Sequence, residues 1–435
     1  MRALGKIVYA ILFLLLTACG ESNYMQEAIR PTSEVERAKY QLFDIMHSYY
    51  LWYDKIPSNI NPDLYPNPEK LLDGMRYNLY DRWSFVDDYD AFMSFYREGK
   101  MVGYGLMFML SDNYEFYVAF IYNSSSLYPQ GVRRGWRLDK VNNTKLTIDN
   151  YVDLMGPNEE GYTCSFGMID PAGTPHTFEA VKKEITINTV LHYSVIHNNS
   201  TKLGYLVLES FLETTEAELN DVFSYFQSQG ITELILDMRY NGGGSVDVSN
   251  YLASSLAPAK TAGNVYLQYV FNNKHSEENF SLDFKTTPYN LNLNRLFVLT
   301  THYTASASEA VINGLKPFIP VYTIGQKTNG KPVGMYSFSY YPYVFLPVIF
   351  ETFNAQDEGR YYQGIPVNAN ADDGFRYDFG DTNDGMLAEV IYYLNNGVFF
   401  NQAKSLTPFS GRLIQEGQRH GSIMYISSEV WPEKK

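Results

Sequence analysis

Between residues 203 and 324 short apolar runs alternate with helical patterns, and nothing else in the chain narrows its possible folds as much. Residues 203–211 read as a strand, after which Leu219, Val222, Phe223 and Phe226 recur on one helix face. Thr215 and Glu218 stand ahead of that face at capping-box spacing. Residues 234–236 are a buried strand and 246–256 a second helix; 296–299 and 321–324 are further strands, with a helical pattern through Val311 and Leu315 between them. This alternation predicts an α/β core. A chain of 435 residues holds two or three domains, each with an adequate core.

Chemistry-bearing residues gather where these strands end. The strand at 234–236 runs into Asp-Met-Arg-Tyr-Asn-Gly-Gly-Gly, whose glycines allow very close backbone approach and leave N–H groups free for an oxyanion. The strand at 296–299 leads to Thr-Ala-Ser-Ala-Ser-Glu-Ala, small residues at a helix start with Ser306 as candidate nucleophile. The strand at 321–324 leads to a Thr-Asn-Gly turn carrying Lys331. A serine at neutral pH needs a base, and a lysine serves only when burial keeps it uncharged. Glu309, one turn beyond Ser306, can orient either group. Ser306 and Glu309 also form the capping-box signature, and a lysine after Asn-Gly is ordinarily a solvated turn residue. His302 lies too close to Ser306 along one turn to face it productively and reads as a loop residue.

The flanking segments add location and modules. Arg2 and Lys6 precede the apolar run 7–16, and Leu16-Thr17-Ala18-Cys19 follows. That order is a signal peptide at 1–18 with a lipobox-like end, which makes Cys19 the lipidated residue, anchors the protein to a membrane of the bacterial cell envelope, and leaves 19–33 as a tether. Val35, Ala38, Leu42, Ile45, Met46 and Tyr49 recur at helical spacing, so 34–100 is expected to be a small helical domain without visible chemistry. At 101–187 the pattern changes to short strands. Gly103, Tyr104, Gly105 and Leu106 open one apolar run, and a second glycine turn precedes Trp136, Leu138 and Val141. These segments resemble a PDZ domain, which implies that the loop 103–106 receives a peptide on backbone N–H groups. Residues 372–385 look calcium-like but miss the EF-hand register at Gly385, and read as Asx turns before a helix over 386–394. The tail 398–435 has no interpretable pattern.

Taken in order and separation, DMRYNGGG, TASASEA and KTNGKPVGM resemble the signature blocks of the C-terminal processing (tail-specific) serine peptidases, a Ser–Lys family. The likeness covers about residues 34–394. It implies a multi-domain α/β (mixed α+β) chain: a helical N-terminal domain, a PDZ-like domain, and at 188–397 a catalytic core of crotonase-like (ClpP-like) type. It assigns Ser306 as nucleophile, Lys331 as general base and Glu309 as the orienting residue. The oxyanion hole falls to Ala307 with Gly243 or Gly244, of which Gly243 is favoured. Two departures stand out: Met335 where many members carry Gln, and Gly242 where Pro is usual.

Composition removes other classes. A formal net charge of −14 argues against nucleic acid and anionic lipid surfaces as partners. Seven scattered His show no ligand spacing, so no metal or cofactor is expected. With Cys19 lipidated, Cys164 has no disulfide partner. Protein or peptide substrates are the expected partners. Two alternatives remain: a peptide-binding lipoprotein with a decayed core, and, from 38 tyrosines, a carbohydrate-binding lipoprotein.

Overall fold

The computed structural model of the protein describes residues 33–400, 412–414 and 424–426. The signal peptide at 1–18 and Cys19 lie outside the described residues, as does most of the expected tether and tail.

The core sheet has six strands in the order Val190–Asn198, Thr201–Leu208, Glu233–Asp237, Leu296–Thr300, Val321–Gly325, Ala369–Asn370. The first pair is antiparallel and all the others are parallel. Because strand side chains alternate between faces, each strand feeds two cores. Leu206, Leu234, Leu236, Leu296 and Val298 meet the helices Thr215–Gln229, Val246–Leu256 and Ala307–Leu315. Tyr205, Ile235, Phe297, Leu299 and Ile324 meet Met386, Leu387 and Val390 of the helix Gly385–Asn396.

A second, mixed sheet runs Gly244–Ser245, 424–426, Val333–Tyr336, Val348–Phe353, Val265–Phe271, Phe280–Asp283. The core is therefore a mainly parallel sheet joined to a mixed one, within a mixed α/β multidomain fold. It is not the crotonase-like (ClpP-like) core expected above. That expectation came from analogy rather than from any residue pattern in the chain.

The PDZ-like β domain is an antiparallel sheet of Leu106–Leu110, Phe116–Ile121, Arg137–Val141, Thr163–Ile169 and Pro175–Val181 around Phe108, Phe116, Val118, Leu138 and Phe166. At the other end of the chain, Ser33 and Glu36 close a capping box on the helix Glu34–Tyr49. With Pro68–Met75 this helix buries Leu42, Met46, Leu71 and Met75 against Val333, Met335 and Phe345. The N-terminal helices thus share a core with the strands that follow Lys331. The capping box expected at Thr215 and Glu218 does not form. Thr215 Oγ1 accepts from Leu212 N, and Glu218 accepts from the amides of Thr189 and Val190 instead.

Candidate active site

Three turns leave the carboxyl ends of adjacent parallel strands, the edge where open α/β sheets place their ligands. Glu233–Asp237 leads to the glycine turn, Leu296–Thr300 to the turn carrying Ser306, and Val321–Gly325 to the turn carrying Lys331. Backbone and hydroxyl bonds stitch them together. Ala305 N and Ser308 Oγ both donate to Asn241 O, at 3.1 and 3.0 Å. Thr304 Oγ1 donates to Met238 O at 2.8 Å, and Asn329 N to Thr304 O at 2.9 Å. The lysine turn is itself pressed tight. Gly330 has φ +91°, and a Cβ there would stand 2.5 Å from Tyr362 O.

Ser306 immediately precedes the helix Ala307–Leu315 with φ 61° and ψ −116°, a conformation that a non-glycine residue keeps only when its surroundings impose it. Its Oγ is buried and has no hydrogen-bond partner among the described residues. The reciprocal half of the capping box is present, since Ser306 N donates to Glu309 Oε2 at 2.8 Å.

Glu309 does more than cap. The amides of Lys331 (2.8 Å) and Gly330 (2.7 Å) and the hydroxyl of Thr328 (2.5 Å) also donate to its carboxylate. The amides of Ser306 and Lys331 therefore meet on one oxygen, Glu309 Oε2. Burial raises the Glu309 pKa, and these four donors oppose the rise without cancelling it. Glu309 thus bonds the backbones of both Ser306 and Lys331; the bond to Ser306 is the capping-box one that the Ser-x-x-Glu spacing offers.

Lys331 is wholly buried. Its Nζ lies 3.8 Å from Met335 Sδ and 5.9 Å from the Trp83 ring centre. Burial pulls its pKa down from 10.5 to about 7, against the opposing fields of Asp81 and Glu309. Met335 thus touches the lysine at the position where the resemblance leads one to expect Gln. A thioether is a weak acceptor and does little to hold an ammonium.

Asp81 and Trp83 belong to the segment expected to carry no chemistry. Asp81 is fixed by Tyr50 Oη (2.8 Å), Trp83 N (3.0 Å) and Ser84 N (2.9 Å), and Arg82 donates to Asn329 O at 2.9 Å. Beside them opens a cleft of about 330 Å³ lined by Arg76, Arg82, Trp83 and Asn329.

Of the expected oxyanion donors, Ala307 is the first residue of its helix, where an N–H has no intrahelical acceptor. Gly243 N donates to Asn241 Oδ1 at 2.9 Å, so this amide is already engaged. Gly244 (φ 138°) approaches so closely that a Cβ would stand 2.2 Å from Phe211 O. His302 faces Gln326, with Nδ1 3.1 Å from Oε1.

Elsewhere, Gly103 ends the strand Lys100–Gly103, and Tyr104 and Leu106 are buried in the PDZ-like core. Gly105 has φ +73° and packs against Ile185 and Ser125. The acidic segment forms the expected turns, with Asn383 N on Asp381 Oδ1 and Asp384 capping the last helix. Asp373 and Asp384 also enter a buried ion cluster with Arg239 and Arg134, a role the sequence did not signal.

On this α/β core a strained serine and a buried lysine thus stand on turns joined through one carboxylate. Comparison with known proteins gives the class. Residues 202–370 match the model of peptidase family S41, and residues 37–85 that of the peptidase S41 N-terminal domain. The chain belongs to peptidase family S41. A crystal structure from Bacteroides fragilis assigned to the S41 proteases has 25% identity and a TM-score of 0.68, covering 82% of this chain and 97% of that one. That likeness, and not a crotonase- or ClpP-like one, describes the core.

Among curated relatives, the carboxyl-terminal-processing protease of Picosynechococcus sp. is 27% identical over 174 residues, 40% of each chain. The chloroplastic C-terminal processing peptidase of Tetradesmus obliquus is 28% identical over 171 residues, 37% of this chain and 35% of that one. The match thus spans about two-fifths of the length of these relatives. Among the described residues, no helix is long and apolar enough to cross a membrane.

Proposed function

We propose that this protein is a serine endopeptidase that cleaves proteins or peptides near flexible C-terminal ends, with Ser306 as nucleophile and Lys331 as general base. One observation carries the reading: a buried amine with a pKa near 7 and a strained, unpartnered hydroxyl sit on two turns whose amides share Glu309 Oε2. Near neutral pH a large fraction of Lys331 is uncharged and able to accept a proton.

The reaction then runs in two halves. Lys331 Nζ takes the Ser306 hydroxyl proton as Oγ bonds to the peptide carbonyl carbon. The carbonyl oxygen becomes an oxyanion, held by the Ala307 N–H and a glycine-turn amide, each donor contributing roughly 3–4 kcal/mol. Of the glycines we favour Gly244, because Gly243 N already serves Asn241. The carbon–nitrogen bond breaks as the lysine ammonium returns its proton to the leaving amine. Water then attacks the acyl-enzyme, giving its proton to Lys331, and Ser306 leaves with that proton. Glu309 is a positioning residue that holds the backbones on which both groups stand.

Peptide binding at the Gly103–Leu106 loop and lipidation at Cys19, which would tether the enzyme to the cell envelope, belong to the same reading. Incubating the Ser306→Ala protein with envelope extracts and identifying the captured chains and their C-termini tests it. Enrichment of proteins that the active enzyme shortens supports the proposal, and capture unrelated to chains shortened by the active enzyme contradicts it.

A further inference from the structure

Two stretches of the tail pair with this molecule where an extended peptide would lie. Residues 412–414 run antiparallel to Leu106–Leu110, with Arg412 opposite Leu110 and Ile414 opposite Phe108. Residues 424–426 lie parallel between two strands, Met424 opposite Gly244 and Tyr425 opposite both Ser245 and Met335. The first position is the edge of the PDZ-like sheet, directly after the Gly103–Leu106 loop. The second is bounded by the end of the glycine turn and by the strand that leaves Lys331. Leu413 is held further: its N–H donates to Tyr303 Oη at 2.5 Å, and it packs with Met107, Met109 and Tyr240. Tyr303 stands on the turn that carries Ser306, so this strand touches both the PDZ-like sheet and the nucleophile's own loop. In the same structure Ser306 and Lys331 are wholly buried.

We infer that the strands 412–414 and 424–426 are an internal occupant of the peptide track, which a substrate must displace to reach Ser306. Sheet edges recognise a strand largely through main-chain hydrogen bonds and so accept many sequences, including the chain's own. A tethered strand competes at an effective concentration on the order of millimolar. A tail strand whose own affinity is about 0.1 mM thereby holds off every competing peptide by about tenfold. What the track is for rests on the peptidase reading; its occupation by the tail rests on the strand pairing alone.

The test separates the two. A fluorescent peptide spanning residues 408–430 is titrated by anisotropy into two full-length proteins, both carrying Ser306→Ala so that nothing is cut. One has the natural tail, and the other also has Ile414→Pro and Tyr425→Pro, which remove ladder N–H groups. At least about tenfold tighter binding to the proline variant is expected, and equal affinity overturns the inference. With Ser306 restored, the proline variant should cleave an unfolded protein substrate with KM several-fold lower and kcat little changed; an unchanged KM also overturns it. If neither protein cleaves, the peptidase reading fails while the binding difference still decides the tail.

Hydrogen exchange on the Ser306→Ala protein with its natural tail requires no change to the tail and covers a variant that misfolds. Slow exchange at 412–414 and 424–426 that becomes fast on adding the peptide is expected. Fast exchange from the outset overturns the inference.

Discussion

Two buried polar clusters flank the glycine turn, and they are completed to different degrees. On one side Asp237, Arg239, Asp373 and Asp384 join Arg134, which stands on the turn before the strand Arg137–Val141 of the PDZ-like sheet. Arg239 donates to all three carboxylates, and Tyr240 Oη bonds Asp373. Burial alone would push the Asp373 carboxyl up, but Arg134 and Arg239 overcome it and hold it at about 2. On the other side Ser306 Oγ has no hydrogen-bond partner among the described residues, and Lys331 rests against a thioether and an indole. Burial is equally deep in both. The difference lies in the neighbours: guanidinium groups face the carboxylates of the first cluster and hold Asp373 ionised, whereas in the second burial draws the Lys331 amine toward its uncharged form.

The largest effects should come from emptying the Ser306–Lys331 cluster. Ser306→Ala and Lys331→Ala should each lower kcat/KM for a peptide substrate by about 10⁴-fold or more, with circular dichroism unchanged. Near-normal turnover in either variant would show that the two groups do not act as a unit. Cutting the paired cluster should instead be felt as stability. Arg239→Ala takes a cationic partner from three buried carboxylates, leaving Arg134 to serve Asp373 alone, and should cost roughly 3–5 kcal/mol in urea unfolding. A loss below about 1 kcal/mol would mean that the network contributes little.

Glu309→Gln tests the link between the two turns. An amide offers one acceptor oxygen to four donors, so kcat should fall by about 10²-fold as Ser306 and Lys331 lose their shared anchor. A change confined to KM would place Glu309 outside the positioning role. The smallest effect concerns Met335. Met335→Gln gives the lysine a stronger acceptor that favours the ammonium. The midpoint of the pH–rate profile should then move above its wild-type position near 7. A downward shift would contradict the contact.

Lys331 also ties the site to stability. Its folded-state pKa lies below the unfolded one, so between about 7 and 10.5 the unfolded chain binds a proton that the native one has released. Stability should therefore rise with pH across that window, and Lys331→Met should flatten the rise and stabilise the fold near pH 7. A slope unchanged by Lys331→Met would refute the shift.

Much of the site was legible because its parts are contiguous in sequence. Each block pairs a strand with the turn that ends it, so Ser306, Lys331 and the glycines could be read from local pattern. Ser-x-x-Glu also gave the reach from Glu309 to the Ser306 amide, but no spacing rule brings the amides of Gly330 and Lys331 to the same carboxylate. Asp81 and Trp83 escaped notice because the contact is purely tertiary, made by a loop far in sequence from the turns that carry Ser306 and Lys331. The same holds for Arg134 with Asp373, since isolated charges carry no periodicity and their partner is fixed only by the fold. The glycine turn shows a subtler limit. Three glycines announce close approach, yet which amide stays free depends on the side chain of Asn241.

The claim on which the rest depends is that Lys331 acts on Ser306 as an uncharged amine. Its most direct test is the rate at which a fluorophosphonate labels Ser306 as a function of pH, in the wild type and in Lys331→Met. The rate should climb through a midpoint near 7 in the wild type and be nearly absent at every pH in the variant. Labelling of the variant at the wild-type rate, or a wild-type midpoint near the ordinary lysine value of 10.5, would contradict it.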